Sequence, residues 1–277
     1  MTALIAALCA LAAALGTWAF LVAPGRSRAD ARAPFLGRAC AHRGLYAADQ
    51  GVPENSLTAF AAARAAGYGV ELDVQLSKDG DVVVFHDDDL LRACGVNARV
   101  DALTTKELFA LRLFGTGERM PLFAEAMDAL GPDTPVIVEL KSGPNNDALC
   151  RKTLGLLRGI SGTYCVESFD PRIVAWFRRH APDLLRGQLV MPVSFYEGSR
   201  LTAFLLGNLL LNFLARPQFI AREASLRAPS LSLCLLMRPM RVVWTVRPEH
   251  DDARLFREND AMIFEHFRPA AKRQPSV

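Results

Sequence analysis

Residues 41–87 read AHRGLYAADQGVPENSLTAFAAARAAGYGVELDVQLSKDGDVVVFHD. In the run GVELDVQLS the side chains alternate, so Val70, Leu72 and Val74 face one way while Glu71, Asp73 and Gln75 face the other. This pattern predicts a strand with two carboxylates on one face. Like charges this close in a partly buried site repel unless a cation lies between them, and hard divalent cations favour carboxylate oxygen. The pair therefore points to a metal ion. After the turn SKDGD the chain returns as VVVFHD, where Val82, Val84 and His86 are expected on a common face, with an imidazole at the strand end. Ahead of the acidic strand, SLTAFAAARAA has a helical pattern that Asn55 or Ser56 can cap.

Further along, TPVIVELKSG at 134–143 repeats the device: Glu139 and Lys141 share a face, and Val138 and Leu140 take the opposite one. An isolated acidic pair on a strand is ordinarily a solvated face, but here the flanks are apolar. A lone histidine is ordinarily structural, yet His42 and His86 both end short apolar runs beside turn-forming sequence. His180 follows the helical IVAWFRR and reads as a helix C-terminal residue interacting with the dipole. His250 and His266 have no comparable context and receive no role.

These motifs resemble those of the glycerophosphodiester phosphodiesterase family, within the PI-PLC-like phosphodiesterases. The resemblance is carried by HRG (42–44), PEN (53–55), ELDVQLSKDG (71–80), VVFHD (83–87) and VELK (138–141). Weaker echoes are ESFD from Glu167 and WTV from Trp244, so it extends from about residue 38 to about residue 267. It implies a (β/α)8 TIM barrel in which His42 and His86 act as general acid and base. It further implies that Glu71, Asp73 and Glu139 hold a divalent ion, Ca2+ or Mg2+, and that Arg43 and Lys141 contact the phosphate. Glu54 is read as a support for the site together with Asn55, with a further metal ligand as the other reading of Glu54.

The chemistry matches the residue types. A phosphodiester is anionic and repels nucleophiles, so a metal ion and cationic side chains must offset charge on its non-bridging oxygens. One imidazole takes a proton from the nucleophile and the other gives one to the leaving alkoxide, both near neutral pH. The sequence leaves open which is which, and whether water or a neighbouring glycerol hydroxyl attacks first.

Nine apolar runs read as strands: RACAHR, VELDVQ, VVVFHD, PVIVELK, TYCVESF, LRGQLV, QFIAR, RVVWTV and AMIFEHF. Helical patterns separate most of them, which argues for a parallel sheet covered on both sides. A barrel has eight places, and the turn between the Glu71 and His86 runs is too short for a helix, so one run is expected to be an extension. The 277 residues suit one barrel domain at 38–277 after an apolar start, and a net charge of +3 gives no case for nucleic acid. Six cysteines show no metal-ligand spacing, and buried thiols are expected rather than a disulfide framework.

Residues 1–23 carry no charged side chain and are long enough to cross a bilayer as a helix. No basic residue precedes the apolar run and Pro24 spoils the obvious cleavage point, so an uncleaved single-pass anchor is expected rather than a signal peptide. Arg26, Arg28, Arg32 and Arg38 follow it, which places the catalytic domain in the cytoplasm at the inner or plasma membrane, with 24–37 as a short tether. A second uncharged stretch, 201–215, is too short to span. It is expected as an outer barrel helix, or as one that dips into the membrane surface and brings the active-site mouth near lipid head groups.

Two departures from the family pattern concern substrate: Arg247 follows WTV where an Asn is common, and FEHF, with Glu265, replaces a TD dipeptide. The leading expectation is a metal-dependent hydrolase that releases sn-glycerol 3-phosphate and an alcohol from a small glycerophosphodiester, without a protein partner. The alternatives are a lysophospholipase D acting on membrane lysophospholipids and, from another class, a catalytically silent membrane-tethered lipid-binding barrel.

Overall fold

A computed structural model describes residues 1–272; residues 273–277 of the domain expected at 38–277 lie outside the described residues. All nine apolar runs form strands: β1 Arg38–His42, β2 Gly69–Leu76, β3 Val82–Val84, β4 Val136–Leu140, β5 Tyr164–Ser168, β6 Arg186–Val190, β7 Phe219–Glu223, β8 Met240–Val246 and β9 Ala261–Phe264. The parallel order β1-β9-β8-β7-β6-β5-β4-β2 closes through a β1–β2 pairing, giving an eight-stranded barrel. The surplus run is β3, which pairs antiparallel with β2 from Val74↔Val84 to Leu76↔Val82 and extends it beyond the barrel.

The helices are α1 Thr2–Val22, α2 Ala29–Arg32, α3 Leu57–Ala65, α4 Leu91–Cys94, α5 Thr105–Phe109, α6 Phe123–Leu130, α7 Asn146–Gly159, α8 Pro171–His180, α9 Arg200–Gly207, α10 Asn212–Ala215, α11 Pro229–Leu236 and α12 Asp252–Glu258. Val70, Leu72, Val74, Val138 and Leu140 pack outward against Phe60, Phe123, Met127 and Leu149 of the surrounding helices. Their inward neighbours form layers. Cys40, Ile137 and Cys165 pack with Phe219 and Met240 toward the N-terminal end of the barrel. Two residues on, the same strands carry His42, Glu139 and Glu167, so the apolar floor gives way to ionisable groups at the C-terminal mouth.

Three details differ from the sequence expectations. First, His86 does not share a face with Val82 and Val84: β3 ends at Val84, both valines pack outward, and His86 lies past the strand in a cavity wall. Second, the stretch 201–215 is not one helix. Asn208 closes α9 by donating both its backbone N–H and its side-chain amide to the Phe204 carbonyl, and Leu209 turns left-handed at φ 56° before α10 begins.

Third, the short tether expected at 24–37 is fastened to the barrel at several points, with Arg26, Arg28, Ala29, Asp30 and Ala33 exposed between them. The Gly25 N–H donates to the Pro217 carbonyl at 2.8 Å, and Gln218 Nε2 donates to the Arg26 carbonyl at 3.0 Å. Phe35 is fully buried among Cys40, Ile137, Phe219 and Ala261, where it plugs the floor of the barrel. The cysteines are free, and Cys40, Cys150, Cys165 and Cys234 are buried.

Candidate active site

His42 is the last residue of β1, and the chain then turns sharply through Arg43 and Gly44, both at positive φ. A Cβ on Gly44 would stand 2.9 Å from the Ala59 Cβ, so only glycine lets α3 close over this turn. Ser56 caps α3 by accepting the Ala59 N–H, which leaves Asn55 free to donate its amide to Asp73 Oδ2 at 2.8 Å. The Asn55 N–H in turn donates to the Arg43 carbonyl at 2.8 Å.

Strand register assembles the acids. Asp73 pairs with Glu139 across β2 and β4, Glu139 with Glu167 across β4 and β5, and His42 with Glu71 across β1 and β2. One oxygen from each of Glu71, Asp73 and Glu139 lies within 4.8 Å of the others, and all three residues are buried. Lys141 Nζ sits 2.9 Å from Glu139 Oε1 and 3.4 Å from Asp73 Oδ1. The Arg43 N–H donates to Glu71 Oε2 at 3.1 Å, and its guanidinium donates to Glu54 Oε1 at 2.8 Å.

The electrostatics are those of a crowded anionic pocket. Burial, reinforced by Asp73, Glu139 and Glu167, pushes the Glu71 carboxyl well above its ordinary 4.5. Burial and then Glu139 and Asp73 raise Glu167 in the same way. Burial also opposes ionisation of Asp73, but Lys141, His86 and Arg43 outweigh it and hold that carboxyl low. Asp73 Oδ1 and Glu167 Oε2 are buried and have no hydrogen-bond partner among the described residues. A hard divalent cation fits this donor set: three convergent carboxylates, a buried acceptor left over, and an excess of negative charge over Arg43 and Lys141.

Each histidine faces the cavity from its own hydrogen-bond network. His42 Nδ1 lies 2.6 Å from Glu265 Oε2, and Glu265 also accepts from the Tyr46 hydroxyl at 2.8 Å and Arg247 Nε at 2.6 Å. That arrangement fixes the ring and leaves Nε2 toward Glu71, 3.9 Å away. Burial, then Arg43, lowers the His42 pKa, while Glu265 acts in the opposite direction. His86 Nδ1 lies 2.7 Å from Asp87 Oδ1, and Arg92 ties Asp87 to Glu54. Glu54 is thus held by Arg43 and Arg92 and stands apart from the acid triad.

The sequence matches the model of the glycerophosphoryl diester phosphodiesterase family over residues 42–266. The chain belongs to that family. Its relatives include a glycerophosphodiester phosphodiesterase of Caldanaerobacter subterraneus subsp. tengcongensis, 40% identical over 37% of this chain and 44% of that protein. Lysophospholipase D GDPD1 of Rattus norvegicus is 36% identical over 45% of this chain and 42% of its own length. The match thus spans less than half the length of either relative.

The glycerophosphodiester phosphodiesterase family barrel is also found in solved structures. A phosphodiesterase of Oleispira antarctica, in complex with the product sn-glycerol-3-phosphate, superposes with a TM-score of 0.68 at 22% identity, over 83% of this chain and 93% of that one. A glycerophosphodiester phosphodiesterase of Thermotoga maritima gives 0.61 at 23% identity, over 82% and 93%. These likenesses bear out the barrel expected from the sequence.

Every residue expected to build the site, namely His42, Arg43, Glu54, Asn55, Glu71, Asp73, His86, Glu139 and Lys141, belongs to this one connected cluster. The family motifs gave no role to Glu265, Tyr46, Glu167 or Arg92. Glu265 comes directly after Phe264, the register partner of Ala41, which sets it beside His42, and its place at the end of the last apolar run was the available signal. Glu265→Gln is expected to lower kcat about tenfold or more and to move the pH limb belonging to His42 downward, because the carboxylate that favours the imidazolium is gone. A profile of kcat/KM against pH that does not move would mean that Glu265 positions nothing.

Proposed function

We propose that this family member hydrolyses a glycerophosphodiester to sn-glycerol 3-phosphate and an alcohol, in a metal-dependent reaction with His42 and His86 as the acid and base pair. The observation that carries the reading is the buried triad of Glu71, Asp73 and Glu139, of which Glu71 and Glu139 line the cavity that both imidazoles face. Ca2+ or Mg2+ held by the triad would supply Lewis-acid polarisation of the phosphoryl oxygens. Lys141 and Arg43 bring positive charge to the same mouth and bind the anionic diester. Glu265 and Asp87 each hold one imidazole by Nδ1, which leaves each Nε2 to exchange a proton with the reacting oxygens. Glu54 and Asn55 support Arg43 and Asp73 and bind neither ion nor substrate.

The second reading, lysophospholipase D action on an acylated glycerophosphodiester, is favoured by an apolar cavity wall made of Phe169, Leu189, Trp244 and Ile263. The rat relative bears that activity in its name. A silent lipid-binding barrel has no use for two oriented imidazoles beside three buried carboxylates. We also propose that α1 is a membrane anchor with the barrel in the cytoplasm; α1 is 21 residues long, carries no charged side chain and is exposed from Thr2 to Thr17.

The test is incubation of the full chain with glycerophosphocholine and with lysophosphatidylcholine, with and without chelator, followed by identification of the released alcohol and phosphate. Release of choline from either substrate, abolished by chelator and restored by Mg2+ or Ca2+, is the expected result. Chelator-resistant turnover would overturn the metal assignment.

A further inference from the structure

The direction of α1 relative to the barrel determines which face of the barrel meets a membrane. At the lower end, Gly25 and Arg26 bond to Pro217 and Gln218, which lead into the N-terminal end of β7. One turn up, the Val22 carbonyl accepts from Asn212 Nδ2, which also reaches Cys234 Sγ of α11. Above that, Trp18 Nε1 donates to Ser230 Oγ in the first turn of α11, the helix that follows the C-terminal end of β7. The path from residue 26 back to residue 18 therefore climbs from the floor of the barrel toward its mouth. Residues 1–17 are exposed throughout, and at ~1.5 Å per residue Thr2 to Thr17 reaches roughly 24 Å past the barrel.

A second apolar feature lies at the same end. The segment after the C-terminal end of β6 exposes Val193, Phe195, Leu201 and Phe204, with Leu201 67% exposed and Phe204 52%. It is linked to α1, because Ser230 Oγ, which accepts from Trp18, donates to Asn208 Oδ1 at the end of α9. It is also linked to the catalytic cavity: Tyr196 packs edge-on against Phe169, a cavity wall, with ring centroids 6.2 Å apart. Apolar side chains thus occur both in the cavity wall and on the exposed segment beside the emerging helix.

We propose that the bilayer lies across the mouth of the barrel, entered by α1 and met by Leu201 and Phe204, and that the site takes its diester from the membrane plane: a glycerophosphodiester bearing one acyl chain. This deepens the phosphodiesterase and anchor readings and rests on both. Trp18 then sits at the level of the head groups, where indole rings accumulate. The apolar cavity wall accommodates the acylated part of the substrate, and the acid triad and histidines meet the phosphate.

The test has two arms, both on the full chain in phosphatidylcholine vesicles. In the first, Phe204→Trp and Leu236→Trp are each compared with the parent, whose Trp18, Trp176 and Trp244 set the background, for added quenching by spin-labelled phospholipid; Leu236 is 77% exposed and ends α11 at the floor side. Quenching of the residue 204 probe without quenching at 236 is expected; equal or reversed quenching overturns the orientation. In the second arm, the double variant Leu201→Glu, Phe204→Glu is expected to lose at least about tenfold on vesicle-borne lysophosphatidylcholine while glycerophosphocholine turnover is unchanged. Equal rates of variant and parent on the lipid overturn the substrate assignment. A parent chain that hydrolyses neither substrate overturns the phosphodiesterase reading and the substrate assignment with it, and the quenching order still decides the orientation.

Discussion

His86→Ala is expected to lower turnover of a glycerophosphodiester by at least about a hundredfold, the ordinary contribution of a positioned acid or base. The expectation rests on how firmly the ring is held. Asp87 grips Nδ1 at 2.7 Å, Arg92 grips Asp87 at 2.6 Å, and Arg92 continues through Glu54 to Arg43. Alanine removes the proton carrier and leaves that chain of ion pairs in place, so divalent-ion binding and the circular dichroism spectrum should be retained. A loss of less than about tenfold would exclude His86 from the chemistry. The same measurement with an aryl diester, whose leaving group needs no protonation, assigns the roles. Of the variants at 42 and 86, the one rescued by the better leaving group has lost the acid.

Glu139→Gln should be equally damaging through a different term. Glutamine keeps the shape of the side chain but removes one of three charges facing the proposed ion, and it leaves Lys141 paired with Asp73 alone. Burial works against the Lys141 ammonium, and Glu139 and Asp73 together hold it charged, so the substitution also weakens the cation proposed to bind the phosphate. Lewis-acid stabilisation of several kcal/mol corresponds to about a hundredfold to a thousandfold in rate. Calorimetric titration of the full chain with Mg2+ and Ca2+ should show weakened binding in step with the rate. Full activity in Glu139→Gln would end the metal assignment.

Much of the site was legible because strand alternation is a local property. Once Val70, Leu72 and Val74 are taken as outward, Glu71 and Asp73 must point inward, and Val138 and Leu140 do the same for Glu139. What the sequence hid is what depends on closure. Glu265 reaches His42 only because β9 returns to pair with β1, and Arg92 reaches Glu54 from a short helix 38 residues away along the chain. The helix α11, PSLSLCLL, gives a weak helical signal in sequence because its small polar residues blur the 3.6-residue period. The break between α9 and α10 turns on one asparagine amide, which hydropathy does not register.

The aromatic plug described for the barrel floor bears on where the chain should be cut to remove α1. A boundary drawn at the first strand discards Phe35 and opens a hole beneath Cys40, Ile137 and Phe219, a defect of the kind that costs about 3–5 kcal/mol when a buried phenylalanine is truncated. A boundary just before Gly25 keeps that ring and the hydrogen bonds to Pro217 and Gln218, and removes the long apolar helix. The arginine-rich stretch between helix and barrel is therefore part of the folding unit, and a truncation series should lose solubility on one side of it and thermal stability on the other.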